Sequence, residues 1–176
     1  MPNWCMNSLT VSHTDKDMVQ KFADAWNSGS RCQQFIPMPE GEDSTMSGQR
    51  RGATLVEMLV VIDWYSWNIS NWGTKWDFGK EEYEDAAEVN QNKDKYEVCV
   101  GLNTDPSPPI DFYNHLVKLG YNVHASYFEP GMGFCGIYHD GYDNYIDYGD
   151  DKDSIPVGVW NDFGLDDFFE MMEEDA

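Results

Sequence analysis

Basic residues are scarce in this chain, which has 11 Lys and Arg against 32 Asp and Glu in 176 residues. The formal net charge of −21 repels nucleic acid and anionic membranes and attracts basic surfaces. This imbalance exceeds what solubility alone requires of a small protein. The composition therefore argues against direct nucleic-acid binding and against a membrane partner, and it favours a basic protein as partner.

Cysteines are few and far apart: the chain has Cys5, Cys32, Cys99 and Cys135, and none of them forms a CxxC pair. A metal or redox motif of that kind is therefore absent. Because Cys5, Cys99 and Cys135 lie among apolar residues in predicted strands, we expect them to be reduced thiols of the core. We expect no disulfide framework, no bound metal and no cofactor.

Long apolar runs are missing as well. No stretch approaches the ~20 apolar residues that a membrane span needs. The first residues lack the basic and apolar segments of a signal peptide. These features predict a cytoplasmic protein.

Catalytic motifs are incomplete. The glycines near Glu129 are not followed by a helix with a basic residue, as a phosphate loop would require. His124 and Ser126 form one His-x-Ser pair, but a phosphoesterase of the paired-histidine kind needs a second pair as acid and base. The aspartates between residues 140 and 153 lack the spacing of a calcium loop. The sequence therefore predicts a protein that is not an enzyme.

Aromatic residues are abundant, with seven Trp, ten Tyr and nine Phe, and they can fill a sizeable core. Apolar alternation predicts strands at residues 6–12, roughly 74–79, 96–103 and 122–129. Helical spacing predicts helices that begin near Asp15 and Pro109. This order is that of an α+β split βαβ sandwich, with both helices on one sheet face and the strands at 98–102 and 123–127 as neighbours.

Two further segments have recognisable patterns. Residues 134–138 and 142–148 flank Asp140-Gly141 and are predicted to pair as a hairpin. Residues 55–62 repeat their apolar side chains at helical spacing, but two adjacent valines leave a strand open as the alternative.

Several motifs occur in the order seen in a known family. They are residues 1–11 (Met-Pro-Asn-Trp-Cys-Met-Asn-Ser-Leu-Thr-Val), 63–67 (Asp-Trp-Tyr-Ser-Trp), 71–77 (Asn-Trp-Gly-Thr-Lys-Trp-Asp), 107–109 (Ser-Pro-Pro) and 129–136 (Glu-Pro-Gly-Met-Gly-Phe-Cys-Gly). From about residue 2 to residue 138 the chain resembles the YubB-like, ferredoxin-like domain family of phages and conjugative plasmids. The resemblance implies a ferredoxin-like fold without iron. It also implies that the protein acts in a bacterial host cell. Members of the family mostly lack an assigned activity.

The resemblance also divides the chain. It implies a ferredoxin-like domain at residues 1–139, and the predicted order of strands and helices makes residues 32–71 an aromatic-rich insertion after the first helix. Residues 140–176 fall outside it and form what we call the acidic extension, expected to pack on the domain. One departure is Pro106, since the family often has an aromatic residue before Ser-Pro-Pro, which puts ligand stacking at this position in doubt.

The tryptophans between Trp64 and Trp76 allow two interpretations. Aromatic side chains beside Lys75 can form a platform on which bases or a small ligand stack. Alternatively, they anchor the insertion on the sheet. The surrounding negative charge favours the anchor, which predicts that Trp72 and Trp76 are buried.

The acidic extension is the principal candidate for a binding surface. It has thirteen acidic side chains and one basic one, Lys152, with apolar residues interleaved. The expected partner-binding residues are Asp150, Asp151, Asp153, Asp162, Asp166, Asp167, Glu170, Glu173, Glu174, Trp160 and Phe163.

The charge and the resemblance together suggest a function. The leading hypothesis is a counter-defence protein, of the anti-CRISPR or anti-restriction type, whose DNA-mimicking surface inhibits a basic host nucleic-acid-binding complex. The alternative is a nucleic-acid or small-ligand binding module that uses the Trp-rich segment. A third hypothesis is an enzyme that uses His124.

Overall fold

The structure is a computed structural model that describes residues 3–39, 64–78 and 86–174. Within these residues the protein is α+β, with one antiparallel sheet in the order β2-β3-β1-β4-β5-β6. The strands are β1 (Cys5–His13), β2 (Asn90–Asn92), β3 (Lys95–Thr104), β4 (Asn122–Glu129), β5 (Phe134–His139) and β6 (Tyr142–Asp147). The helices are α1 (Lys16–Ser28), α2 (Arg31–Phe35), α3 (Trp64–Trp72), α4 (Ile110–Lys118), α5 (Val157–Phe163) and α6 (Leu165–Glu174), with a 3-10 turn at Lys152–Ser154.

Helix α1 forms where the sequence predicts it. The Asp15 side chain caps its first turn by accepting a hydrogen bond from the Asp17 N–H. The helix ends at Gly29, whose φ of 93° lies in the left-handed region that glycine adopts without strain. Its apolar face is buried at the positions of helical spacing, which are Val19, Phe22, Ala23 and Trp26.

One face of the sheet, which we call the first face, carries the main core. Alternate residues of β1 point to it, and Leu9 and Val11 are completely buried. Helices α1 and α4 both pack into this cluster, α4 through Phe112, Tyr113 and Leu116. The two helices therefore lie on the same side of the sheet, as expected.

The opposite face, which we call the second face, is covered over part of its area by the acidic extension. Phe128 of β4 is completely buried there, against Val159 of α5 and Leu165 of α6. Strand β6, also from the acidic extension, pairs with β5 and confirms the predicted hairpin. The acidic extension thus contributes a strand and two helices that pack on the rest of the protein.

Two predictions about the sheet are wrong. The segments 98–102 and 123–127 are not neighbours, because β1 lies between β3 and β4. Residues 74–76 form bends and residues 77–78 are irregular, so none of them belongs to a strand, and residue 79 lies outside the described residues. The Thr74 hydroxyl and the Lys75 N–H both bond to the Asp105 carbonyl, which holds this segment in its turn. The edge strand beside β3 is instead the short, polar β2.

The prediction for the cysteines is correct at Cys5 and Cys135, which are buried, and wrong at Cys99, which is exposed. Side chains alternate between the two faces of a strand. Because Val98 and Leu102 point into the first-face core, Cys99 must point to the second face. The segment 55–62, where a helix and a strand competed, lies outside the described residues.

Candidate functional site

The motif at residues 71–77 starts with a buried tryptophan. Trp72 is 4% exposed, and its indole Nε1–H donates to the Ile36 carbonyl at 3.0 Å. Gly73 follows with a φ of 77°, and a side chain there would meet the backbone N atoms of Ile110 and Asp111 at 3.1 Å. Only glycine fits this close approach to the start of α4. The first half of the motif is thus an anchor, as predicted for Trp72.

The second half of the motif connects two other elements. Lys75 Nζ lies 3.8 Å from the Asp105 carboxylate, just beyond the end of β3. Asp77 accepts hydrogen bonds from the N–H groups of Cys32 and Gln33, in the first turn of α2. These polar contacts explain why the motif carries a charged residue on each side of Trp76.

Trp76 departs from the sequence prediction. It is 44% exposed, because the segment bends and turns its ring outward rather than into the core. One side of the ring stacks on Trp64 with centroids 4.8 Å apart, and Lys75 Nζ lies 5.2 Å from the ring centroid. Tyr65, 45% exposed, lies edge-on to Trp64. Part of the aromatic segment is therefore a surface, and the prediction that Trp76 is buried is wrong.

A trough with a volume of about 660 Å³ runs beside this surface, where β1 begins and β3 ends. Its floor on the second face includes Met6 and Gly101, and its sides include Trp4, Trp76 and Phe163. Met6 pairs with Asn103 and Ser8 with Gly101, and residues paired across strands share a face of the sheet. The trough therefore joins the open part of the second face to the exposed indoles.

Carboxylates surround the trough. Asp77, Asp105 and Asp162 line it together with a single basic residue of the described chain, Arg31. Arg31 is only 2% exposed, and its guanidinium carbon lies 4.1 Å from the Trp26 ring centroid, so its charge is held inside the wall. The lining also includes the polar, uncharged Ser8 and Asn103, and Asp105 is paired with Lys75. The accessible lining therefore combines aromatic, acidic and neutral polar side chains.

The His-x-Ser pair lies on the second face, but its two side chains have different partners. Ser126 is 1% exposed and donates to Asp162 Oδ2 at 2.5 Å. His124 is exposed and faces His139 on the next strand, with ring centroids 5.8 Å apart. A serine nucleophile needs an adjacent base and access to substrate. The buried Ser126 hydroxyl, engaged with a carboxylate of α5, serves to fix that helix on the sheet.

Seven of the predicted partner-binding carboxylates are exposed and lie on or beside the two terminal helices. They are Asp150, Asp151, Asp153, Asp162, Asp166, Asp167 and Glu170. Glu173 and Glu174 belong to the last turn of α6. Trp160 and Phe163 are half-buried and pack against the Phe128 cluster, so they support the surface more than they form it. Met171 and Met172, which are not among the predicted partner-binding residues, are exposed by 67% and 58%.

Sequence reasoning missed Trp4, Gly101 and Asp105 as parts of a site. One signal was present: Gly101 interrupts an otherwise apolar strand pattern, and such a glycine often marks a close approach. The convergence of Trp4 and Trp76 depends on long-range pairing that no local pattern encodes.

Within the described ranges, no three or more His, Cys, Asp or Glu side chains are grouped as a metal site requires. In the same ranges, none of the helices has the length and apolar character to cross a membrane. No family model, curated protein or solved structure matches this chain.

Proposed function

We propose that this protein is not an enzyme but a contact protein, which uses the acidic extension to occupy the nucleic-acid-binding surface of a basic protein. The observation that carries the proposal is the fixed display of its carboxylates. Asp166, Asp167 and Glu170 are exposed on α6, while Leu165 at the start of the same helix is completely buried. A surface whose charges are already ordered loses little conformational entropy when a partner binds.

The charge density of α6 is close to that of nucleic acid. Five acidic residues between positions 166 and 174 occupy about 12 Å of helix axis. Duplex DNA carries one phosphate charge per about 1.7 Å of axis, so the helix approaches half to three quarters of that density. The exposed carboxylates before α5 extend the charged surface beyond the helix.

Exposed apolar side chains accompany this charge. Met171 and Met172 lie on α6, and Val157 at the start of α5 is 74% exposed. Interfaces between proteins combine an apolar centre with polar surroundings, and methionine adapts to irregular surfaces. The mixture supports a protein partner over a role in solubility alone.

The fold and the sequence motifs support a more specific form of the proposal. Strands β2, β3, β1 and β4 lie in the order expected of a ferredoxin-like sheet, with α1 and α4 on one face. In that arrangement the insertion would extend from the end of α1 to β2. With the resemblance to the YubB-like family, this supports a phage or mobile-element protein that counteracts a CRISPR or restriction complex, by fold-level analogy.

Competition binding tests the proposal directly. The protein is titrated into a basic DNA-binding effector that already holds labelled DNA, and the displaced DNA is measured. We expect displacement to weaken as salt rises, mainly through a slower association rate. Changing five acids to amides, at Asp166, Asp167, Glu170, Glu173 and Glu174, should reproduce the effect of salt.

A matched control changes five exposed acids elsewhere to amides, namely Asp17, Asp24, Glu88, Asp94 and Asp111. Both variants lose the same charge, so the proposal requires that only the α6 variant loses displacement. Equal losses of displacement in the two variants would show that the effect depends only on the net charge of the protein. Displacement that neither salt nor the α6 variant changes would overturn the proposal.

The exposed aromatic surface favours a second candidate function, a binding module for single-stranded nucleic acid or a small ligand. Trp76 and Tyr65 present enough ring surface for stacking. Anisotropy with labelled single strands at physiological salt separates the candidates. We expect no binding, because the negative protein repels the strand. Binding that Trp76→Ala abolishes would favour the module.

A further inference from the structure

We propose that the trough receives the guanidinium group of an arginine presented by the basic partner. This inference rests on the proposed function, because it identifies the group that the partner contributes. Its physical basis is independent of α6, and it comes from a glycine in β3, from two exposed indoles and from the carboxylates around them.

Gly101 is the most informative residue of the trough. It lies within β3, its φ is not in the left-handed region, and a side chain added there would meet only the Asn7 carbonyl oxygen, at 4.0 Å. By contrast, a side chain at Gly136 in β5 would collide with the Tyr127 hydroxyl. Glycine weakens the interior of a strand. Since the fold does not require it at 101, its position on the trough floor indicates that a group from outside lies flat against the sheet.

The walls indicate the chemistry of that group. Trp4 and Trp76, which are 50% and 44% exposed, both line the trough. Trp76 already stacks on Trp64 and lies beside Lys75 Nζ, so the ring of Trp4 is the more accessible of the two. Indole rings attract cations and stack on planar ones, and the contact that Lys75 Nζ makes with Trp76 shows this preference within the protein itself. A planar cation would satisfy both the flat floor and the aromatic walls.

Charge favours guanidinium over a nucleobase or a neutral ring. Asp105, after β3, and Asp162, near the end of α5, both line the trough. Asp105 is already paired with Lys75, so Asp162 is the carboxylate more available to a partner. Ser126 engages only the Oδ2 atom of Asp162, and the residue is exposed. Guanidinium presents five N–H donors in one plane and suits carboxylates better than the compact ammonium of lysine does.

The position of the trough relative to α6 supports a shared partner. Asp162 and Phe163 line the trough, and α6 begins two residues later at Leu165. A basic partner on the carboxylates of α6 would therefore have its neighbouring side chains at the trough. The trough would then supply selectivity for arginine, and α6 would supply charge attraction without that selectivity.

Gly101→Val tests the inference, because it fills the floor and adds a residue that strands favour. The probes are nona-arginine and nona-lysine peptides, with binding measured by calorimetry at physiological salt. For the unmodified protein we expect nona-arginine to bind at least tenfold more tightly. Gly101→Val should remove that preference and leave the affinity for nona-lysine within about twofold.

Cys99→Val is the matched control, since Cys99 is exposed on the same face of the same strand and does not line the trough. It should leave the preference intact. If Gly101→Val disturbs the melting curve, Trp4→Ala provides a second variant, which should reduce the preference at least threefold. A preference that persists in both trough variants, or that is absent from the unmodified protein, would overturn the inference.

The same measurements separate this inference from the proposed function. The variant with five amides on α6 should weaken both peptides and keep the preference for arginine. If it weakens both peptides while neither Gly101→Val nor Trp4→Ala changes the preference, the acidic surface stands and the trough inference fails. If Gly101→Val abolishes the preference while the α6 variant binds normally, the trough stands and the proposed surface fails.

Discussion

Aromatic side chains are buried on both faces of the sheet, but their burial has a different structural role on each face. On the first face, Phe22, Trp26 and Phe112 are completely enclosed by α1, α4 and their neighbours. On the second face, Phe128 is enclosed partly by buried residues such as Val159 and Leu165 and partly by half-buried rings, including Phe163 and Phe168. The comparison teaches that the first face holds the fold together. The second face mainly fixes charged helices and leaves the trough open beside them.

The largest expected effect is on the first face. Phe112→Ala removes a ring that contacts the rings of Phe35, at 5.8 Å, and Phe78, at 5.1 Å between centroids. The surroundings belong to several elements and cannot collapse together into the cavity. We expect a loss of about 4–5 kcal/mol, which is much of the stability of a typical domain. Chemical denaturation measures it, and a loss below about 2 kcal/mol would contradict a main core on this face.

Trp72 and Trp76 sharpen the comparison within one motif. Trp72→Ala removes a buried ring and its hydrogen bond to Ile36, and should cost about 3–4 kcal/mol. Trp76→Ala removes a half-exposed ring and should cost less than about 1 kcal/mol. Thermal melting of the two variants side by side measures the difference. Equal costs would mean that the stack of Trp76 on Trp64 anchors the fold as strongly as Trp72 does.

On the second face, Phe128→Ala should cost about 3 kcal/mol, because the half-buried rings around it can partly close the cavity. This loss of stability should be local to the helices that cover Phe128. Hydrogen exchange should accelerate in α5 and α6 before it changes in β1 or α1, since few other contacts hold those helices. Uniform acceleration over the sheet would show instead that the two faces unfold as one unit.

These differences also show what the sequence can and cannot predict. Strands β1, β3 and β4 and helices α1 and α4 follow from periodicity, because each element buries one face and the alternation of apolar residues records it. The same alternation, applied strictly, places Cys99 opposite Val98, so that error was avoidable. The exposure of Trp76 could not be predicted in this way, because residues in a bend follow no periodic pattern that distinguishes buried from exposed side chains.

The remaining site features are tertiary. Gly101 is visible in the sequence as a break in a strand, but its place beside Trp4 depends on the register of β1 with β3. Asp162 was predicted as one charge among many, and the structure adds its contact with Ser126 across the second face. Local sequence patterns do not encode which segments, far apart in the chain, pair with one another.

The smallest expected effect concerns Asp143 on β6. Its carboxylate accepts a hydrogen bond from the Tyr127 hydroxyl at 2.8 Å, and partial burial raises its pKa above the ordinary 3.8. The folded protein therefore binds this proton more tightly than the unfolded chain does. The associated stability is present below the ordinary pKa and is lost as pH rises through the folded value.

Asp143→Asn keeps an oxygen acceptor for Tyr127 and removes the charge. At pH 7 it should stabilise the protein by at most about 0.5 kcal/mol, and at pH 3 the difference should vanish. Denaturation at both pH values measures it, with Asp147→Asn as the control for charge on the same strand. A variant that is less stable at pH 7 would show that the hydrogen bond from Tyr127 favours the ionised carboxylate by more than burial disfavours it.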